Sequence, residues 1–76
     1  MRIGIEVNDF FGNYGSRTGK FEMDVKPGFS VQNLLEILNI PLDKVGFVIV
    51  NQKRVDCDYV FSEGDSVHVL PFATGG

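Results

Sequence analysis

The sequence predicts an α+β domain in which a mixed sheet of four to five strands packs on one main helix. Three observations carry this expectation. Alternating apolar and polar residues recur near both ends of the chain, the period of half-buried strands. In the middle, Val31, Leu34, Leu35 and Leu38 follow the i, i+3, i+4, i+7 spacing of one helical face. The length of 76 residues leaves room for one sheet and one helix, near the lower end of what folds without metals or disulfides.

From Met1 to Asn8, Ile3, Ile5 and Val7 share one face and Arg2, Gly4, Glu6 and Asn8 the other, which predicts a first strand. Asp9 to Gly19 carries Gly12, Gly15 and Gly19 among Phe10, Phe11, Tyr14 and Ser16, loop chemistry rather than an element interior. Lys20 to Lys26 alternates again, with Phe21, Met23 and Val25 inward, so the two strands are expected to form an antiparallel hairpin around a long, flexible tip. Pro27-Gly28 closes it with a turn signal. Ser30 is a credible N-cap, Asn39 a plausible helix end, and Pro41 could not extend the helix without losing a backbone hydrogen bond.

Leu42 to Gly46 returns the chain to the sheet, and the apolar, β-branched run Phe47 to Val50 suggests a central strand. Asn51-Gln52 turns it back into Lys53-Arg54-Val55. Tyr59, Val60 and Phe61, before Ser62-Glu63-Gly64-Asp65, look like an apolar anchor preceding a turn. From Ser66 a last strand places Val67 and Val69 on one face and Ser66, His68 and Leu70 on the other. No internal repeat or second-domain boundary interrupts this order, so residues 1–70 form the domain and 71–76 a flexible Gly-Gly tail.

Composition narrows the function. Cys57 is the one cysteine, so neither an internal disulfide nor a cysteine-based metal site can be assembled within one chain. A net charge of −3, without clustered Lys and Arg, disfavours nucleic acid and favours a basic patch on a protein partner. The first residues lack the apolar stretch of a signal peptide and no apolar run is long enough to cross a bilayer, so a cytoplasmic protein with no membrane partner is expected.

The last six residues, Pro71-Phe72-Ala73-Thr74-Gly75-Gly76, carry the main functional clue. Two glycines bury nothing and cost entropy if ordered. A linker stub is the bland explanation, but these glycines continue directly from a strand and a Pro-Phe-Ala-Thr bridge. Without a Cβ the end is slim enough to enter a narrow channel in another protein. The reactive atom is then the main-chain carboxyl of Gly76, with Ala73, Thr74 and Gly75 threading the channel.

Taken together, the hairpin, the helix, the turn at Val50-Asn51, the Glu63-Gly64-Asp65 turn into a last strand and the Gly75-Gly76 ending resemble the MoaD/ThiS family of ubiquitin-like sulfur carriers. The resemblance spans the whole chain. It implies the β-grasp fold and a non-enzymatic carrier: an E1-like adenylating enzyme activates the Gly76 carboxylate with ATP, and sulfur from a donor protein replaces AMP to give a thiocarboxylate. No cofactor is bound by the carrier itself. The long loop Asn8 to Gly19 and the Leu70-Pro71-Phe72 approach look more like the small subunit of molybdopterin synthase, whose partner is the large subunit. A thiamine-type carrier serving thiazole synthase and a ubiquitin-like modifier joined through Gly76 to lysines are the alternatives, although a ubiquitin tail is rich in arginine and this one has none.

The remaining candidates are weighed on their residues. If Val48 and Val50 face the helix, Phe47 and Ile49 lie outward near His68, Leu70 and Phe72, an exposed apolar patch suited to docking a partner. His68 is otherwise a plain outward residue, and no metal site is expected. Cys57 invites a persulfide role, yet reads more simply as a small, semi-buried residue on a connecting segment. Gly12-x-x-Gly15 lacks the ending of a phosphate-binding loop and the helix that should follow. Asp56, Asp58, Glu63 and Asp65 lack calcium-ligand spacing and read as a solvated acidic edge.

Overall fold

The structure is a computed structural model and describes residues 1–72. Its sheet has five strands: β1 (Arg2–Val7), β2 (Gly19–Asp24), β3 (Val45–Val50), β4 (Lys53–Val55) and β5 (Ser66–Pro71), in the spatial order β2-β1-β5-β3-β4. All neighbours are antiparallel except the central pair, β1 and β5, which run parallel. The helix α1 (Val31–Ile37) covers one face. This is the mixed sheet on one helix expected from the sequence.

Alternation in the strands decides what is buried. Ile3, Ile5 and Val7 of β1, Val48 and Val50 of β3, and Val67 and Val69 of β5 all point to the helix side, where Val31, Leu34 and Leu35 meet them with no residual exposure. Leu38, the fourth expected member of the helical face, is only half-buried; Ile40 takes the enclosed position beyond it.

Both helix ends are fixed by local chemistry. Ser30 Oγ accepts from the Asn33 backbone N–H at 3.2 Å while Asn33 Oδ1 accepts from the Ser30 N–H at 3.0 Å, a reciprocal cap. At the other end Asn39 adopts φ 57°. Its N–H donates to the Glu36 carbonyl at 3.1 Å and that of Ile40 to Leu35 at 2.9 Å, the two bonds that satisfy a helix C-terminus when the next residue turns left-handed.

The first loop departs from the expectation. Asp9–Tyr14 forms a 3₁₀ helix rather than a flexible tip, and Phe11 is fully buried beneath it. Ser16, also buried, donates from Oγ to the Asn39 carbonyl at 2.8 Å and ties the loop to the end of α1. A second short 3₁₀ turn, Leu42–Lys44, delivers the chain to β3, which starts at Val45, two residues before the apolar run suggested.

Two further expectations are corrected. Cys57 is exposed rather than semi-buried, and Val60 is 51% exposed, so the anchor before the last turn consists of Tyr59 and Phe61 alone. Asp65 is not part of a solvated acidic edge. It is 6% exposed, and its carboxylate accepts from the Asn51 Nδ2, the Tyr59 hydroxyl and the Ser62 N–H, each at 2.8 Å.

Candidate functional site

On the sheet face opposite α1, none of the outward-pointing strand residues described is buried. Its residues follow from register. Phe47 pairs with Leu70 and Ile49 with His68 across β3 and β5, while Ile49 also pairs with Arg54 on β4. Paired residues in a ladder share a face. Phe47, Ile49, His68 and Leu70 therefore lie side by side, with Phe72 following at the end of β5, as the sequence predicts.

The exposures fit a docking strip. Phe47 is 39% and Phe72 60% exposed, whereas Ile49, His68 and Leu70 are half-buried by their neighbours. The Arg54 guanidinium sits 4.5 Å from the Phe47 ring centroid, so the strip ends in a cation held over an aromatic face. Toward β2 the same face becomes polar. His68 Nε2 lies 3.8 Å from Glu6 Oε2, and Glu6, Lys20 and Glu22 surround a hollow of ≈ 440 Å³ above Gly4.

Gly46 determines how the chain leaves this face. The register of β3 against β5 shifts between Val45, which pairs with Pro71, and Phe47, which pairs with Leu70, so Gly46 is an extra residue in β3. A Cβ built on Gly46 would stand 2.6 Å from the Pro71 carbonyl oxygen and 2.7 Å from the Phe72 nitrogen. No side chain fits there. The missing Cβ lets the backbone of Pro71 and Phe72 approach β3 closely at the bulge, where β5 ends beside it. Sequence reading passed over this residue, although a glycine inside a strand pattern is the standard sign of a bulge or of close backbone approach.

The Asp65 network positions the other end of β5. Burial pushes this carboxyl up, but the hydrogen bonds from Ser62, Tyr59 and Asn51 outweigh it and hold the group below the ordinary carboxylate range. The same bond, with a smaller contribution from burial, raises the Tyr59 hydroxyl above its ordinary value. Asn51 Oδ1 also accepts from the Ser66 N–H at 3.0 Å, so the turn between β3 and β4 is locked to the first residue of β5.

Among the described residues no three His, Cys, Asp or Glu side chains gather as metal ligands, and no helix is long and apolar enough to cross a membrane. The expected reactive end, Gly76, and the threading residues Ala73, Thr74 and Gly75 lie outside the described residues. What the structure brings together on one face are Phe47, Ile49, His68 and Leu70, four of the residues expected to bind a partner, with the exposed Phe72 following Pro71 in the chain.

Residues 1–75 match the family model described as Mut7-C ubiquitin. No curated protein matches the sequence. Among solved structures, SAMP1 from Haloferax volcanii superposes with a TM-score of 0.73 at 15% identity, covering 100% of both chains. A putative molybdopterin converting factor, subunit 1, from Pyrococcus furiosus gives a TM-score of 0.69 at 21% identity over 93% of this chain and 97% of that one. A structure of small archaeal modifier protein 1 from H. volcanii gives 0.69 at 15% identity over 92% and 95%. These likenesses establish the ubiquitin-like β-grasp fold.

Proposed function

Because the chain belongs to the Mut7-C ubiquitin family, we propose that it is a ubiquitin-like sulfur carrier, non-catalytic in itself, whose Gly76 carboxylate is adenylated by an E1-like enzyme using ATP and then converted to a thiocarboxylate. The observation that supports this reading is the apolar strip of Phe47, Ile49 and Leu70, with the exposed Phe72 four residues before Gly76 in the sequence. A carboxylate is a poor acyl electrophile because it is anionic and lacks a good leaving group. The mixed anhydride with AMP removes both obstacles. The carrier then needs a docking face and a slim end, and no catalytic side chain.

Within this reading the sulfur is passed to a pterin precursor in molybdopterin synthesis, with the large subunit of molybdopterin synthase as the acceptor partner and a separate protein as sulfur donor. The likeness to a molybdopterin converting factor subunit supports that assignment over thiazole synthesis. A second reading is favoured by the two structures from H. volcanii, one of them a small archaeal modifier protein: Gly76 joined to lysines of other proteins.

Intact-mass measurement separates them. After incubation with the activating enzyme, ATP and a sulfur donor, a carrier gains the mass difference of one sulfur for one oxygen, and a modifier appears as conjugates on lysines. The parent mass of the purified protein also checks that Gly76 ends the working chain, which both readings require. An unchanged mass and no conjugates would leave a docking module and overturn both.

A further inference from the structure

The free edge of β2 has a feature that the carrier reading does not use. β2 pairs with β1 on one side and with nothing on the other among the described residues. The Val25 N–H donates to the Met1 carbonyl at 2.7 Å, so the backbone groups of Val25, and of Met23, Phe21 and Gly19 in alternation, turn toward β1. Those of Lys20, Glu22 and Asp24 therefore point outward, at the unpaired edge. The bond from the Gly4 N–H to the Asp65 carbonyl agrees, since it turns Gly4 away from β2 and leaves Ile3 and Ile5 facing it.

We propose that this edge pairs antiparallel with the β2 edge of a second copy of the chain, about a two-fold axis through Phe21. A two-fold axis normal to the sheet keeps the open faces on one side, so each β2 residue must meet one from its own face. Charge then selects the register. Centring on Lys20 or on Glu22 sets that residue against its own copy, and centring on Met23 sets Glu22 against Asp24. Centring on Phe21 sets Lys20 against Glu22 of the second copy, twice, with no like charges opposed.

The backbone fits the same register. Lys20 and Glu22 both turn their N–H and C=O outward, so each facing pair can exchange two ladder hydrogen bonds. On the helix side Phe21, only half-buried within one copy, meets Phe21 of the other as the closer, non-hydrogen-bonded pair. Arg17, whose guanidinium lies 3.9 Å from the Phe21 ring centroid, borders that contact. A lysine on an edge strand ordinarily repels a like edge; Glu22, two positions along on the same face, pairs through Oε1 with Arg2 of its own chain and presents Oε2 to Lys20 of the other copy, which makes this edge complementary to itself. The product is one continuous sheet with both apolar strips on the same side and unobstructed, because β3 and β5 lie away from β2.

The test is the oligomeric state of the full chain by sedimentation equilibrium over a range of concentrations. The parent is expected to shift reversibly from monomer to dimer as concentration rises. Lys20→Glu and Glu22→Lys, both at exposed positions, should each lose the dimer, and circular dichroism should show both folded. Mixed in equal amounts, the two variants should regain it, since every facing pair again has opposite charge. A parent that stays monomeric at millimolar concentration overturns the proposal. So does a dimer unaffected by either substitution, or one lost on changing Phe72 instead, which would place the contact on the strip.

Discussion

The Tyr59 hydroxyl donates to the Asp65 carboxylate across 2.8 Å, joining the segment before the last turn to the residue that begins β5's approach. Asp65 accepts from Asn51 and the Ser62 backbone as well, so one buried acid ties the turn between β3 and β4 to the segment that leads into β5. Removing the acceptor leaves three donors without a partner. Asp65→Ala is expected to cost about 3 kcal/mol and Tyr59→Phe about 1 kcal/mol, since bonds to charged groups are the stronger ones and an orphaned donor loses its solvation. Urea unfolding of both variants measures this, and a larger loss for Tyr59→Phe than for Asp65→Ala would assign the wrong residue to the centre of the network.

The same network sets an acid limit. Because the folded state holds the Asp65 carboxyl below its unfolded value, its contribution is complete above the ordinary aspartate pKa of about 4 and fades as pH falls through the lower, folded value. Tyr59 works in the opposite direction. Its raised hydroxyl contributes fully below about pH 10 and loses that contribution as pH rises through the higher folded value. The stability gap between the parent and Asp65→Asn should therefore be flat near neutrality and narrow below about pH 4. A gap that stays constant to the acid unfolding limit would show that the charge on Asp65 is irrelevant to the network.

Gly46 and Gly4 make a matched pair of opposite expectation. A methyl on Gly46 collides with the backbone of Pro71 and Phe72, whereas one on Gly4 meets nothing within 4 Å. Backbone cannot swing aside as a side chain can, so Gly46→Ala is expected to cost about 2 kcal/mol, in the range of core overpacking. Gly4→Ala should be neutral or slightly stabilising, since alanine gives up less backbone entropy in a strand. Thermal unfolding compares the two, and the Phe72 amide resonance should move only in Gly46→Ala. Equal stability of the pair would show that Gly46 is not held against the backbone of Pro71 and Phe72.

The legibility of these features in the sequence tracks how local their causes are. The strands and α1 repeat at fixed periods, and the cap at Ser30 needs only Asn33 three residues on, so pattern alone places them. The strip was legible because alternation is strict: once Val48 and Val50 face inward, Phe47 and Ile49 must face out. Phe11 was missed because glycines on both sides outweighed one apolar residue, and its burial in the core depends on residues far from it in the chain, which no local pattern reveals. Asp65 was misread for a similar reason. Beside Glu63 it resembles any surface acid, and its three donors come from residues whose convergence only the fold reveals.

The strip itself predicts a separation of binding from folding. Phe72 is 60% exposed, so Phe72→Asp should leave stability within about 0.5 kcal/mol of the parent. Loss of a large aromatic from an interface commonly costs about 2 kcal/mol or more, so under the proposed function affinity for the activating enzyme should fall at least ~10-fold. Calorimetric titration against that enzyme reads the affinity and urea unfolding the stability. If Phe72→Asp melts the domain instead, the residue belongs to the core and the docking face lies elsewhere.

A change in the tail should act at a different kinetic step from a change in the strip. Under the proposed function, Phe72 binds the activating enzyme equally in the resting complex and in the transition state, so Phe72→Asp raises KM and leaves kcat nearly unchanged. Gly75 is asked for something else: to let the backbone take any φ and pass where a Cβ branch would collide. Gly75→Val adds a β-branched side chain beside the reacting carboxyl while leaving Phe47, Ile49, Leu70 and Phe72 intact. Docking should survive, and the Gly76 carboxylate should reach ATP less often, so kcat for adenylation should fall at least ~10-fold with KM little changed. Pyrophosphate exchange measures both constants. If Gly75→Val raises KM alone, the glycine contributes only to docking; if it changes neither, the channel is wide and the slim end has no steric purpose.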